Sequence, residues 1–146
     1  MSTTSPALLA TPATSDRQLP VLEGYAKVFY GFCQQHDLRF QRCSQCGTWR
    51  HPPRPMCNQC HSVETEWAQV RGLGTVHCWT VPMTSIGGAF ASDIPYVAAI
   101  VELDEGPRMA TWVTGIAPGD LRNGLRVTVW FDQVTPSVTL AKFNPA

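Results

Sequence analysis

Apolar residues recur at every third or fourth position just after Pro20, which is the spacing of one face of a helix. They are Val21, Leu22, Tyr25, Val28, Phe29, Phe32 and Cys33. The pattern predicts an amphipathic helical arm at residues 20–37, with Ser15 and Asp16 as caps and Pro20 in the first turn. Such a face either covers the chain's own core or docks on a partner, because an aromatic stripe beside a small barrel otherwise stays exposed.

From Ala68 onward apolar and polar positions alternate between regular turn signals, a pattern typical of an all-β unit. Five strands are predicted, near residues 69–82, 96–104, 107–115, 125–134 and 138–144. The segment 117–124, between the third and fourth strands, has room for one helical turn. Five strands with a helical insertion after the third predict an OB-fold barrel over residues 68–146, and a small sandwich is the alternative.

The segment 38–67 carries two cysteine pairs, each with C-x2-C spacing, separated by ten residues. The four cysteines are Cys43, Cys46, Cys57 and Cys60. Two such turns bring four thiolates around one tetrahedral ion, so the spacing predicts a rubredoxin-like zinc ribbon in which metal replaces a missing apolar core. Four cysteines leave no coordination position for water, which indicates structural zinc, with iron as the alternative.

Four other residues have chemistry that the metal site does not use. His51 and His61 lie near enough in sequence to replace a cysteine, but four thiolates already saturate the ion, so both are interpreted as ordinary loop residues. Cys33 and Cys78 are predicted to be small buried hydrophobes. A catalytic role for Cys78 is disfavoured because the adjacent His77 should point to the opposite face of the strand.

The composition describes an ordinary globular chain with a short tail. The 146 residues are 44% hydrophobic and carry 11 basic and 11 acidic side chains, which allows one or two domains and disfavours general disorder. Residues 1–19 are rich in Ser, Thr, Ala and Pro and predict a flexible tail. Neither a secretion signal nor a run of about 18 apolar residues is visible, so we expect a soluble cytoplasmic protein without a membrane segment.

The charge is zero overall but divides unevenly along the chain. Residues 38–72 hold five arginines against Glu64 and Glu66, a balance of +3, whereas four cations against six acids give residues 73–146 a balance of −2. Arginine suits phosphate, carboxylate and interface recognition. The alternative is that these arginines only balance the metal–thiolate cluster and form surface pairs. Since the barrel is acidic, binding of single-stranded nucleic acid is a secondary hypothesis.

Several motifs occur together in an order that resembles a known family. They are "LRFQRCSQCGTWRHPPRPMCNQCHSVETEWAQVRGLGTVHCWTV", "IPYVAAIVELDEGPRMATWVTG" and "TLAKFNP", preceded by an aromatic helix. Over about residues 22–145 the chain resembles the acyl-CoA-associated family of zinc-ribbon plus OB-fold proteins. The resemblance implies zinc bound by the two cysteine pairs. It also implies a non-catalytic subunit of a thiolase-fold enzyme, such as a thiolase, acyltransferase or retro-aldolase, while some relatives accompany hotdog-fold hydratases.

The resemblance makes an accessory subunit in a hetero-oligomer the leading hypothesis, with the partner supplying the catalytic residues. We expect a partner to cover some of Tyr25, Phe29, Phe32 and Trp49, since aromatic residues commonly anchor interfaces. Arg50 and Arg54 beside rigid prolines are candidates, with Trp49, for contacts to CoA phosphates or partner carboxylates. The alternatives are a nucleic-acid-binding module and an independent thioesterase or acyltransferase, the last without a visible nucleophile and base.

Overall fold

The computed structural model describes residues 18–85 and 88–146. The predicted tail lies outside these residues except for positions 18 and 19, as do the predicted caps Ser15 and Asp16. Residues 18–23 are not helical, with a tight turn in which the amide of Glu23 donates to the carbonyl of Val21 (3.0 Å), and helix α1 occupies Gly24–Gln34. It therefore begins after Pro20, because the chain turns into the helix at Gly24, whose φ of +53° is a conformation that glycine adopts without steric cost.

After the helix comes a small antiparallel sheet of three strands in the order β2-β1-β3. They are β1 (Arg39–Cys43), β2 (Trp49–Arg50) and β3 (Thr65–Gln69). The central strand β1 pairs along its whole length with β3, placing Phe40 opposite Ala68. The two-residue strand β2 is too short to leave an alternation pattern in the sequence.

The remaining strands close into a barrel in the order β4-β5-β6-β8-β7. They are β4 (Leu73–Thr80), β5 (Val97–Leu103), β6 (Arg108–Val113), β7 (Arg126–Gln133) and β8 (Thr139–Pro145). A parallel bridge between Val113 and Phe143 closes β6 on β8, and the other pairings are antiparallel. The predicted insertion contains one 3-10 turn, Pro118–Asp120. The OB-fold prediction is confirmed, and the sandwich alternative is wrong because the sheet is closed.

A β-bulge in β4 changes which side chains face the barrel interior. Val76 pairs with Val101, but Cys78 pairs with Ile100, so the register shifts by one residue between them. The shift reverses the alternation, which exposes Cys78 and turns Trp79 toward the core. The expectation that Cys78 is buried is therefore wrong, whereas Cys33 is fully buried as predicted.

One continuous apolar core joins the helix, the ribbon and the barrel. Phe29 and Cys33 of α1 meet Phe40 of β1 in this core, which continues to Phe143 of β8. The segment that follows the helix also contacts β7, where the His36 ring stacks on Phe131 with centroids 5.2 Å apart. The side of the helix that carries Phe29 and Cys33 thus covers the chain's own core.

Among residues 18–85 and 88–146, no helix combines the length and the apolar content needed to cross a bilayer.

Candidate metal centre and cofactor-binding residues

The two cysteine pairs sit on turns of matching geometry. The amide of Gly47 donates to the carbonyl of Cys43 (2.9 Å), and the amide of His61 donates to the carbonyl of Cys57 (3.0 Å). The residue after each pair has a positive φ, 75° at Gly47 and 62° at His61. Each turn thereby brings its two sulfur atoms to the same side of the backbone.

The four sulfur atoms lie within 4.8 Å of one another. Cys43 Sγ is 3.5 Å from Cys60 Sγ, and Cys46 Sγ is 3.6 Å from Cys57 Sγ. Zn–S bonds of about 2.3 Å in a tetrahedron separate sulfur atoms by about 3.8 Å, so the cluster is close to the shape that zinc requires. The structure brings the four predicted ligands together as one group, which fits a structural zinc site where four thiolates complete the coordination shell.

Backbone amides prepare part of this cluster for metal binding. The amides of Cys60 and Gln59 lower the pKa of the Cys57 thiol to about 6. The amide of Ser62 lowers the pKa of Cys60, but the Cys43 sulfur, burial and the other two sulfurs act against it and raise this pKa to about 12. The four sulfurs would hold a divalent cation that offsets the repulsion among the thiolates, so its binding would be coupled to loss of the last proton.

Neither histidine joins the cysteine cluster. His61 is exposed at the second turn, as expected for a loop residue. His51 instead packs against the rings of Phe40 (4.5 Å between centroids) and Phe29 (5.2 Å). Burial lowers the pKa of His51 to about 4, so its ring is neutral near pH 7. The sequence interpretation missed this packing, because it depends on two aromatic residues from other elements.

The predicted cofactor or partner residues Trp49, Arg50 and Arg54 lie together around one cavity beside the ribbon. Arg50 is buried, and its Nε donates to Gln41 Oε1 (2.9 Å). Arg54 is exposed, and Trp49 is half-buried beneath the guanidinium of Arg42, which lies 5.3 Å from the ring centroid. The structure therefore brings these three residues to one cavity, although they differ in how deeply they are buried.

The three predicted partner-contact residues on the helix lie in different environments. Tyr25 is 42% exposed, whereas Phe29 is 5% exposed and belongs to the chain's own core. Phe32 is half-buried near Trp67, with Arg39 over its ring at 5.2 Å. Phe29 is thus unavailable to a partner, because the helix turns it toward Phe40.

A second cavity, of about 440 Å³, lies on the barrel surface between residues 18–20, Phe90 and strands β6 and β8. The side chain of Trp112 lines this cavity and stacks on Tyr96 with centroids 4.3 Å apart. Lys142 lies 4.8 Å from the Trp112 ring centroid and forms an ion pair with Asp132. The sequence alone does not predict that Trp112 and Lys142 lie together. They are on β6 and β8, two strands that meet only when the barrel closes.

Two family models match the chain in the order of its structural units. Residues 32–66 match the rubredoxin-like zinc ribbon domain of ChsH2, and residues 67–132 match the C-terminal OB-fold domain of ChsH2. A DUF35 domain-containing scaffold protein of Methanothermobacter thermautotrophicus is 32% identical over 102 residues, which cover 69% of this chain and 76% of that protein. The chain belongs to the DUF35 family.

Two further proteins that are similar to this DUF35 chain have names that refer to enzymes. It is 35% identical over 130 residues to a probable enoyl-CoA hydratase alpha subunit of Thermomonospora curvata; the match covers 89% of this chain and 40% of that subunit. A chain of the solved Ltp2-ChsH2(DUF35) aldolase superposes with a TM-score of 0.79 at 35% identity. That superposition covers 87% of this chain and 98% of the other.

Proposed function

We propose that this DUF35 chain is a non-catalytic accessory subunit that binds a thiolase-fold enzyme acting on acyl-CoA thioesters and helps to hold the CoA substrate. The observation that carries the proposal is the likeness to the ChsH2(DUF35) chain of an aldolase complex, which this chain matches over nearly all of that chain's length. The likeness to an enoyl-CoA hydratase subunit supports acyl-CoA thioesters as the substrate class.

The chemistry of the cysteines supports a non-catalytic role. Four of them close the coordination shell of the metal, so no position is left for a bound water or substrate. Burial raises the pKa of the Cys33 thiol to about 12, which keeps it protonated and unreactive. Under this proposal the partner supplies the nucleophile and the bases.

The outer side of the helical arm supports binding to another protein. Val21, Tyr25 and Val28 are 70%, 42% and 40% exposed, and the last two are three residues apart on one helical face. An exposed apolar stripe of this kind is typical of an interface, where an aromatic side chain often anchors the contact. We assign the partner-contact surface to these three residues, with Phe32 at its edge.

The nucleic-acid alternative has less support from the barrel surface. The outer face of β5 and β6 presents Ala98, Ile100, Ala110 and Trp112 around a shallow depression. Lys142 is already paired with Asp132, and the Trp112 ring is already stacked on Tyr96. Binding of a single strand needs cations along the backbone path and free ring faces, which this surface does not offer.

Reconstitution with a thiolase-fold enzyme tests the proposal. Thiolase-fold proteins from the same genome, beginning with any encoded beside this chain, are co-expressed with it and examined by co-purification and analytical ultracentrifugation. We expect a stable complex and a higher acyl-CoA turnover than that of the partner alone. Formation of a complex with a hotdog-fold hydratase instead would assign the chain to that second class of enzyme, which the Thermomonospora relative favours.

A matched pair of variants checks the assigned surface. Val28→Asp places a charge in the apolar stripe and should weaken the complex by tenfold or more, while Val63→Asp makes the same change at a 69% exposed ribbon position and should leave it intact. If the wild-type chain binds neither class of enzyme at micromolar concentrations, the accessory-subunit proposal is wrong.

A further inference from the structure

A cavity of about 270 Å³ lies where the ribbon meets the first residues of β6. Its lining contains Asn58 and three arginines, Arg50, Arg54 and Arg108, and no acidic residue of the described part of the chain. The first two arginines come from the ribbon and the third from the barrel, so folding brings together cations that are more than 50 positions apart in sequence. Such a concentration of positive charge favours an anionic ligand.

Arg50 is the best evidence that this cavity is a binding site. The residue is 8% exposed, and its terminal atoms Nη1 and Nη2 are buried without a hydrogen-bond acceptor among the described residues. Burying a charged donor without a partner costs free energy, so such groups usually have a ligand or another role. An anion in the cavity would provide the acceptors that Arg50 lacks once the neighbouring side chains move enough to uncover its Nη1 and Nη2 atoms.

Gln41 positions the two ribbon arginines. Its Oε1 accepts hydrogen bonds from Arg50 Nε (2.9 Å) and from the backbone amide of Arg54 (2.8 Å). The side chain of Gln41 is completely buried, and Arg54 lies between Pro53 and Pro55, whose rings restrict the backbone. The guanidinium of Arg50 and the backbone of Arg54 are thus held in place before any ligand arrives, which reduces the entropy lost on binding.

Arg108 completes the site from the barrel side. Its Nε donates to Glu102 Oε2 (2.8 Å), which fixes the side chain at the beginning of β6 and offsets part of its charge. With Arg50 and Arg54 included, the positive charge of the cavity exceeds what this carboxylate neutralises. Three planar guanidinium groups match the several acceptor oxygens of a phosphate better than the two of a single carboxylate.

We infer that this cavity binds a phosphate group, recognised by Arg50, Arg54 and Arg108. The source of that phosphate is either the nucleotide end of CoA or a free phosphate or diphosphate ion. Only the first source rests on the proposed function, because an anion site in this chain needs no partner enzyme.

The test measures anion binding to the isolated full chain loaded with zinc. Inorganic phosphate, diphosphate, CoA, dephospho-CoA and pantetheine are titrated separately, with isothermal calorimetry and amide NMR shifts as readouts. We expect saturable binding of diphosphate and CoA that weakens as salt rises, and no binding of pantetheine, which lacks phosphate. CoA binding more tightly than diphosphate would identify CoA as the source, and equal affinities would identify the free anion.

Charge-removing variants locate the site. Arg54→Gln and Arg108→Gln should each weaken binding by about tenfold, since a charge-assisted contact is lost, while Arg122→Gln at an exposed loop position should change nothing. Binding by Arg50→Gln is interpreted only if the zinc content and NMR spectrum of this variant are native. Arg50→Lys keeps the positive charge but removes the planar guanidinium, so it tests whether that shape is needed. The inference is wrong if phosphate compounds do not bind or if both exposed variants bind normally.

The outcomes separate this inference from the proposed function. A complex with a thiolase-fold enzyme but no anion binding would overturn the phosphate site alone. Anion binding without any complex would overturn the accessory role alone. If no phosphate binds and Arg54→Gln prevents complex formation, the cavity takes a partner carboxylate and the phosphate assignment is wrong.

Discussion

Each cysteine ligand contributes to the stability of the ribbon through the zinc ion. Cys57 is fully buried and its sulfur lies 3.6 Å from that of Cys46. Cys57→Ser should reduce the zinc content well below one ion per chain and unfold the ribbon, because structural zinc contributes about 10–16 kcal/mol in comparable small sites. Elemental analysis and hydrogen exchange measure both effects.

Cys78→Ser is the matched control for the ligand variant. Cys78 is exposed and lies outside the metal cluster, so this change should leave one zinc per chain and normal ribbon protection. Retention of full zinc by Cys57→Ser would show that the other three cysteines and a different ligand suffice.

His51 makes the stability of the fold depend on pH. Burial lowers the pKa of its folded-state ring from the ordinary 6.5 to about 4, so the unfolded chain binds more protons between these values. The stabilisation is complete above about pH 6.5 and is lost as the pH falls toward 4, by about 3 kcal/mol at most. Urea unfolding at several pH values measures this loss.

The His51 ring can be followed directly, which separates it from protonation of the metal ligands. Its NMR signals should titrate near pH 4 in the zinc-loaded chain. His51→Phe keeps an aromatic ring between Phe29 and Phe40 and should reduce the slope of stability against pH in this window. A His51 pKa near 6.5 would contradict the prediction.

At the residue scale, spacing predicted the metal ligands but not the environments of single side chains. Four cysteines converge because two short local turns determine where their sulfurs lie. The contacts of His51 and the exposure of Cys78 depend instead on distant partners and on a register shift between β4 and β5. Alternation along one strand carries no information about such a shift.

Among the structural elements, the entry to β4 depends on glycine. Gly72 has a φ of +72°, and a Cβ at this position would lie 2.2 Å from Val129 Cγ1 of β7. Gly72→Ala should therefore destabilise the barrel by about 2–4 kcal/mol, through both backbone strain and overlap. The free energy of unfolding in urea measures the change.

Gly124→Ala separates the two causes of that loss. Gly124 also has a positive φ, +78°, but a Cβ there would have no atom of residues 18–85 and 88–146 within 4 Å. It should cost only about 1–2 kcal/mol, which is the conformational part. Equal losses for the two variants would show that β7 moves aside to accommodate the methyl group at position 72.

The elements themselves were largely predictable from the hydrophobic pattern, since the barrel strands and the 3-10 insertion follow alternation and turn signals. The helix start was not, because apolar spacing continues through the non-helical residues before Gly24. An apolar side chain in a non-helical arm and one in a first helical turn give the same pattern.

For the molecule as a whole, the ribbon and the barrel share an apolar core but belong to separate sheets. Leu38 and Phe40 of the ribbon pack into the common cluster with Phe143, yet within the described residues no barrel strand pairs with a ribbon strand. Removing zinc should therefore unfold residues 39–69 and loosen the helix that packs on Phe40, while the closed barrel stays folded.

Hydrogen exchange with and without a zinc chelator at pH 7 measures this separation. We expect amides of β1 and β3 to lose protection and amides of β5, in the middle of the barrel, to keep most of theirs. Restoring zinc should restore the ribbon, which distinguishes metal loss from irreversible damage. Loss of protection in β5 together with β1 would show that the shared apolar core, rather than the closed barrel ladder, determines the unit that unfolds.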